Sequence, residues 1–399
     1  MKTLKKTLFN ISTIFTLSAT ALNAQTKPQK VIMIMMDGFG EDYYRSSDMP
    51  NLNKIEKNGI YKIVPSLMPA VTNVNNISIA TGTTPAVNGI TGNVYFNEST
   101  GLEEYIESPD LVMTPTIFEK AKKLGIRSAL FSSKKKTIDV MGTHTEIALC
   151  PECDGAATDN WTKELGMAPP VYSKEISYWI FNAAIKTIKE NPDIGLIYIH
   201  STDYPMHMWA PEEKDSKDFL HHIDVLIGEL VKAAPDAAIL LTADHGMNHK
   251  NRGIDLAQVC KNKNTPIKIA ISPEKDKYIK HHKGLGGAAY IYLNDKSDKK
   301  AVKKVLLATK GVESVLTREE AAKKYDLMPS RIGDFMVIAD KSTVFGDLNG
   351  KETEVQDKHY RSHGSPYEAK VPLFIYNAKK APPAVYFDSN YKIASWLYN

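Results

Sequence analysis

The sequence predicts an α/β fold whose mostly parallel sheet is covered by helices on both faces. Short runs rich in Val, Ile, Leu and Tyr recur at 31–36 (VIMIMM), 128–131 (SALF), 195–200 (GLIYIH), 238–242 (AILLT), 289–293 (AYIYL) and 372–376 (PLFIY). They are continuously apolar rather than alternating, as expected of strands buried on both sides. Helical patterns separate them, as parallel crossovers require. The 399 residues, 43% hydrophobic and 24% charged, suffice for a large core.

Residues 1–24 read as a secretory signal peptide. Lys2, Lys5 and Lys6 form a basic start, an apolar run follows to about Leu22, and Ala19, Ala21 and Ala24 offer cleavage sites. The run is short for a membrane span, and no later stretch is long and apolar enough for one, so the expectation is an exported, periplasmic protein without stable membrane association. The net charge of +4 falls close to zero once those three lysines leave, because the leader carries no acid. A near-neutral mature chain gives no argument for nucleic-acid binding.

The catalytic domain is expected over 27–399. Its first strand ends at Asp37, in MMDGFG. Thr114-Pro115 reads as N-cap and first residue of a helix that Gly125 ends, and the strand at 127–132 follows. Cys150 and Cys153, in CPEC, read as a local disulfide in an exported protein; a zinc knuckle is short of ligands, with only His144 nearby, and Cys260 stands alone. From about 253 to 355 the texture changes to more lysine, short strands and a helix near 300–309, which reads as an inserted cap.

Acidic and histidine residues gather at strand ends: Asp37; Asp203 and His207 in STDYPMH; Asp244 and His245 in TADHGMN; His363 in RSHGSP. Open α/β sheets place their sites there. Any one of these is explained as a helix cap, but six at successive strand ends are not. Oxygen and nitrogen ligands in that number suit two divalent metals, zinc first. Thr72, in PAVTNVNNISIATG, precedes a helical pattern; a hydroxyl there sits among free N–H groups, and beside a metal it becomes a nucleophile candidate.

Asp37, Thr72, Asp203-x-x-x-His207, Asp244-His245 and His363 resemble, in order, the site set of the alkaline phosphatase superfamily. The branch that holds nucleotide pyrophosphatase/phosphodiesterases and phosphonoacetate hydrolase is most similar, over nearly all of the mature chain. The resemblance implies an alkaline phosphatase-like α/β/α sandwich with a small inserted cap. It implies two Zn2+, one held by Asp203, His207 and His363, the other by Asp37, Asp244 and His245 beside Thr72. Asn93, in GITGN, matches the asparagine that contacts a phosphoryl oxygen. Sulfatases are excluded, since no C/S-x-P-x-R frame is present; alkaline phosphatases proper carry serine where Thr72 stands.

The run FSSKKKT (131–137) follows a strand on the same edge. As extended chain it would point Lys134 and Lys136 together with Lys135 opposite. This Lys-x-Lys resembles the pair that grips the carboxylate in phosphonoacetate hydrolase, and TPTIFEKAKKLG, TNVNN, ADHGMN, RIGD and RSHG resemble the same family. Expulsion of acetate from phosphorus develops carbanion charge that spreads onto the carboxylate. Two ammonium groups at about 4 Å, at an effective dielectric of about 20, contribute at most about 8 kcal/mol, roughly a millionfold in rate. The ground-state carboxylate already enjoys part of this. Departures are Val74 for the usual Pro, Asn88 for the usual His, Met206, Met208 and Trp209 around His207, the CPEC insertion and the leader. They leave the substrate open among phosphonoacetate, related phosphonocarboxylates and phosphate esters. The other readings are an exported phosphodiesterase or nucleotide pyrophosphatase, a phosphomonoesterase, and a non-catalytic metal or phosphonate binder.

Overall fold

The computed structural model describes residues 28–152, 156–277 and 283–398, with the side chains of 156–160 left aside. The signal-peptide reading and Cys153 lie outside them. Seven strands form the central sheet: β1 Val31–Met35, β2 Ile60–Pro65, β3 Ser128–Ser132, β4 Ile147–Leu149, β5 Leu196–His200, β6 Ala238–Thr242 and β7 Lys370–Tyr376. Their spatial order is β2-β7-β6-β1-β5-β3-β4. The pairs β6-β1, β1-β5, β5-β3 and β3-β4 are parallel, and β7 is antiparallel to both β6 and β2. Every residue of β1, β3, β5 and β6 is buried, as their continuous apolar runs require.

Helices cover the sheet through apolar stripes. In Lys214–Ala233 the stripe is Phe219, Leu220, Ile223, Leu226, Ile227 and Leu230, spaced three and four apart. Each such side chain contributes about 2 kcal/mol when fully buried. Asp224 lies buried in that stripe with a separate task. Its Oδ1 accepts from Leu52 N at 2.7 Å and its Oδ2 from Asn51 N at 2.9 Å, satisfying the open N-terminus of helix Pro50–Asn58.

Two expectations are corrected here. The run AYIYL belongs not to the central sheet but to a four-stranded antiparallel sheet, paired with Ile269–Ile271 and Phe335–Ala339. A buried apolar run states burial, not which sheet it joins. The helix expected from Thr114 is capped by Thr116, whose hydroxyl accepts from Glu119 N at 3.3 Å, so Pro115 precedes the helix. Residues 252–355 carry this four-stranded sheet and a three-stranded one, with helix Lys299–Ala308 packed on the former through Val302 and Leu306. Cys150 is disulfide-bonded; Cys260 is a free, buried thiol. No helix among the described residues is long and apolar enough to cross a membrane.

Candidate active site

The site forms at the C-terminal edge of the parallel strands. Asp37 follows β1, Lys134 follows β3, Asp203 follows β5 and Asp244 follows β6. His363 precedes β7, which runs the other way, so its N-terminal end reaches the same edge. Gly38 makes the turn behind Asp37. Its φ is +74°, and a Cβ there would sit 3.3 Å from Asp203 and Met206, so only glycine lets these two strand ends approach.

Asp203 caps the short helix Tyr204–Met208, and the i,i+4 spacing brings His207 Nε2 within 3.2 Å of its carboxylate. Thr72 is the first residue of the buried helix Thr72–Thr81, whose end is fixed by Gly82 at φ +70°, pressed against Ser395. The Thr72 Oγ1 lies 3.5 Å from both Asp37 Oδ1 and His245 Nε2. Asn93 Oδ1 accepts from Asn73 N at 3.3 Å, next along that helix.

Ligand atoms of Asp37, Asp244 and His245 lie within 4.8 Å of one another, as do those of Asp203, His245 and His363, and of His207, Glu274 and His363. The first group coincides with one expected zinc set. The other expected set, Asp203, His207 and His363, is divided between the remaining two groups, which draw in His245 and Glu274.

These residues fit divalent metal. His207, His245 and His363 each direct Nδ1 at a backbone carbonyl, of Arg361 at 2.9 Å, Gly246 at 2.9 Å and Ala70 at 2.8 Å. A carbonyl only accepts, so Nδ1 carries the proton and the Nε2 lone pair faces the site, which is the tautomer a ligand needs. Asp244 Oδ2 is buried without a hydrogen bond. Burial and neighbouring Asp37 hold the Asp244 carboxyl well above the usual range. Burial and Asp203 push the Asp37 carboxyl up, but Lys134, His200 and His245 outweigh them and hold it low. The Lys134 ammonium bridges the strand ends, 2.6 Å from Asp37 Oδ2 and 3.1 Å from Asp203 Oδ1. A cradle this anionic draws positive charge.

The lysine run departs from expectation. It is not extended: Lys134 caps a helix over Lys135–Met141. All three lysines line one cavity of about 220 Å³, with Thr72, Asn93 and Asp203. Lys134 and Lys136 reach it from a helix cap and first turn, not from one face of a strand. Lys134 is engaged by Asp37 and Asp203, and buried Lys136 is ion-paired with Asp276. A larger cleft of about 850 Å³ lies among the cap strands and holds none of the candidate ligands or Thr72.

Four contributors escape sequence reading. His200, the last residue of β5, places Nε2 3.1 Å from Asp37 Oδ2, and its Nδ1 meets the Thr137 hydroxyl at 2.9 Å. Its position at a strand end was the available signal. Glu274 reaches in from the cap and lies 3.2 Å from His363 Nε2. Fully buried Lys250 and Glu368 pair at 2.8 Å and join the loop after β6 to the loop carrying His363. Lys250→Met should destabilise the fold by about 3–5 kcal/mol in urea unfolding, since it leaves Glu368 buried without its counter-charge. Adding Glu368→Gln should recover part of that loss.

The fold and the paired carboxylate and imidazole groups around a helix-end threonine define a hydrolase of the alkaline phosphatase-like class. Residues 31–366 match the family model of type I phosphodiesterase / nucleotide pyrophosphatase, and the chain belongs to that metal-dependent family. It resembles the phosphonoacetate hydrolase of Sinorhizobium meliloti 1021, solved in complex with phosphonoacetate: 30% identity, TM-score 0.83, with 93% of this chain and 96% of that one covered. The same enzyme with phosphonoformate gives a TM-score of 0.82. Among curated relatives, an uncharacterized pyrophosphatase/phosphodiesterase of Schizosaccharomyces pombe is 25% identical over 54% of this chain and 44% of its own. The Bis(5'-adenosyl)-triphosphatase enpp4 of Mus musculus is 25% identical over 59% of this chain and 51% of its own. The alignments thus span about half the length of these curated relatives.

Proposed function

We propose that this chain is an exported, periplasmic hydrolase that cleaves the C–P bond of phosphonoacetate to acetate and phosphate. The observation that carries the reading is the cavity. It brings Thr72 and Asn93 together with Lys134 and Lys136 in about 220 Å³, below the roughly 300–1,000 Å³ of sites for drug-sized ligands. A small substrate with an anionic group at each end suits that space. The 30% identity to a phosphonoacetate hydrolase over nearly the whole chain supports it.

Asp203, His207 and His363 would hold one zinc, and Asp37, Asp244 and His245 the other. Bound there, the ions supply positive charge for phosphonyl oxygens and ease ionisation of the threonine hydroxyl. Thr72 Oγ1 attacks phosphorus, the P–C bond breaks, and its electron pair leaves with the acetate carbon, which then takes up a proton. The helix N-terminus behind Thr72 favours negative charge at that point. Asn93 Nδ2 donates to a phosphonyl oxygen. Lys134 and Lys136 stabilise charge spread onto the departing carboxylate. Water hydrolyses the phosphothreonine and restores Thr72.

The second reading, a type I phosphodiesterase, draws on the matched family and on Tyr172 in the cavity wall, an aromatic surface for a base. Comparing kcat/KM of the zinc-loaded protein for phosphonoacetate and bis-p-nitrophenyl phosphate separates the two. The phosphonate should be preferred; preference for the diester would assign the site phosphodiester cleavage instead.

A further inference from the structure

The cap segment Glu274-Lys275-Asp276-Lys277 alternates in charge, and its side chains divide accordingly. Lys275 pairs outward with Glu103, and Lys277 pairs with Glu107 at 2.8 Å. The acids turn inward: both Glu274 and Asp276 line the cavity. Asn93 N donates to Pro273 O at 2.8 Å and holds the start of the segment beside the phosphoryl end. Glu274 lies 3.2 Å from His363 Nε2 there. At the other end, Asp276 occupies Lys136, and both side chains are less than a tenth exposed.

The other two lysines are held differently. Lys134 is bound by candidate metal ligands, and Lys135 pairs with Asp139 on its own helix, half exposed. Lys136 is thus the buried cavity lysine whose counter-charge comes from the cap and belongs to no candidate metal set. A substrate carboxylate seeking Lys136 meets a carboxylate already there. We infer that Asp276 is a specificity-determining residue: it competes with the substrate's carboxylate for Lys136 and sets how strongly the cavity favours carboxylated phosphonates over plain ones. This rests on the reading of Lys134 and Lys136 as the leaving-group end.

Calorimetric binding of phosphonoformate and methylphosphonate to the zinc-loaded protein and its Asp276→Asn variant tests it without turnover. Both ligands carry the phosphonyl group; only the first carries a carboxylate. Removing the competitor should tighten phosphonoformate by about tenfold or more, the scale expected for a buried ion pair released to a ligand, and leave methylphosphonate within about twofold. If the parent prefers phosphonoformate but the variant binds it equally or more weakly, Asp276 does not compete and the inference falls, while the lysine reading stands. If neither protein distinguishes the ligands, the lysine reading falls and takes the inference with it. Loss of both ligands, in this variant and in Asp276→Ala, would show that Asp276 holds the site together and would also overturn it.

Discussion

Thr72→Ala should lose turnover by at least about four orders of magnitude while metal content stays unchanged. Removing an activated nucleophile discards the covalent route, leaving the slower attack of water on a bound substrate. The substitution removes only a hydroxyl and a methyl, at the first turn of a helix that is buried along its whole length. Alanine is a good helix former, and the Thr72 hydroxyl caps nothing, since Val71 is the cap residue. The fold should therefore survive. Metal analysis by mass spectrometry alongside the kinetics checks both halves. Turnover near the parent rate would remove Thr72 from the chemistry; loss of metal together with activity would make it a support for the ligands.

Lys136→Ala should cost phosphonoacetate cleavage about a hundredfold to a thousandfold, and p-nitrophenyl phosphate cleavage tenfold or less. A charge pair at about 4 Å and an effective dielectric of about 20 is worth roughly 4 kcal/mol, the upper limit of that range. A nitrophenolate leaves without such help. Lys136 is a cleaner probe than Lys134, whose ammonium touches Asp37 and Asp203 and whose loss would disturb the ligand cradle. Steady-state kinetics on both substrates make the comparison. Equal losses would place Lys136 in the fold or at the phosphoryl group instead of at the leaving group. Because the substitution leaves Asp276 without its partner, Lys136→Ala with Asp276→Ala serves as the second variant and should show the same substrate bias.

The candidate ligands were legible because each lies just past, or in one case before, an apolar run, and a doubly covered sheet brings those ends to one edge. Thr72 was legible for a different reason, as a hydroxyl opening a helical pattern. The lysine run carries a helical signal that competes with the extended reading. Lys136, Thr137, Val140 and Met141 are buried at three- and four-residue spacing, which is helical and not extended. Thr116 likewise had the better claim as cap, with Glu119 three residues on, a spacing that favours a capping box over Thr114-Pro115. AYIYL could not be placed, because burial on both faces is the same in a central sheet and in the core of a cap. Glu274 and Asp276 were beyond reach. Nothing in EKDK says which pair turns inward until the cap folds and brings Glu103 and Glu107 alongside its lysines. His200 was visible as a strand-ending histidine, but its role follows only from the register that sets β5 beside β1, with Met35 opposite His200.

In the proposed reaction the bond broken joins carbon to phosphorus. The test is the release of acetate and phosphate from phosphonoacetate by the zinc-loaded protein, each product quantified separately, beside p-nitrophenyl phosphate esters. Equimolar acetate and phosphate are expected, at a rate above that of the esters. Ester cleavage with no acetate released would overturn the C–P reading and leave a phosphodiesterase or phosphatase.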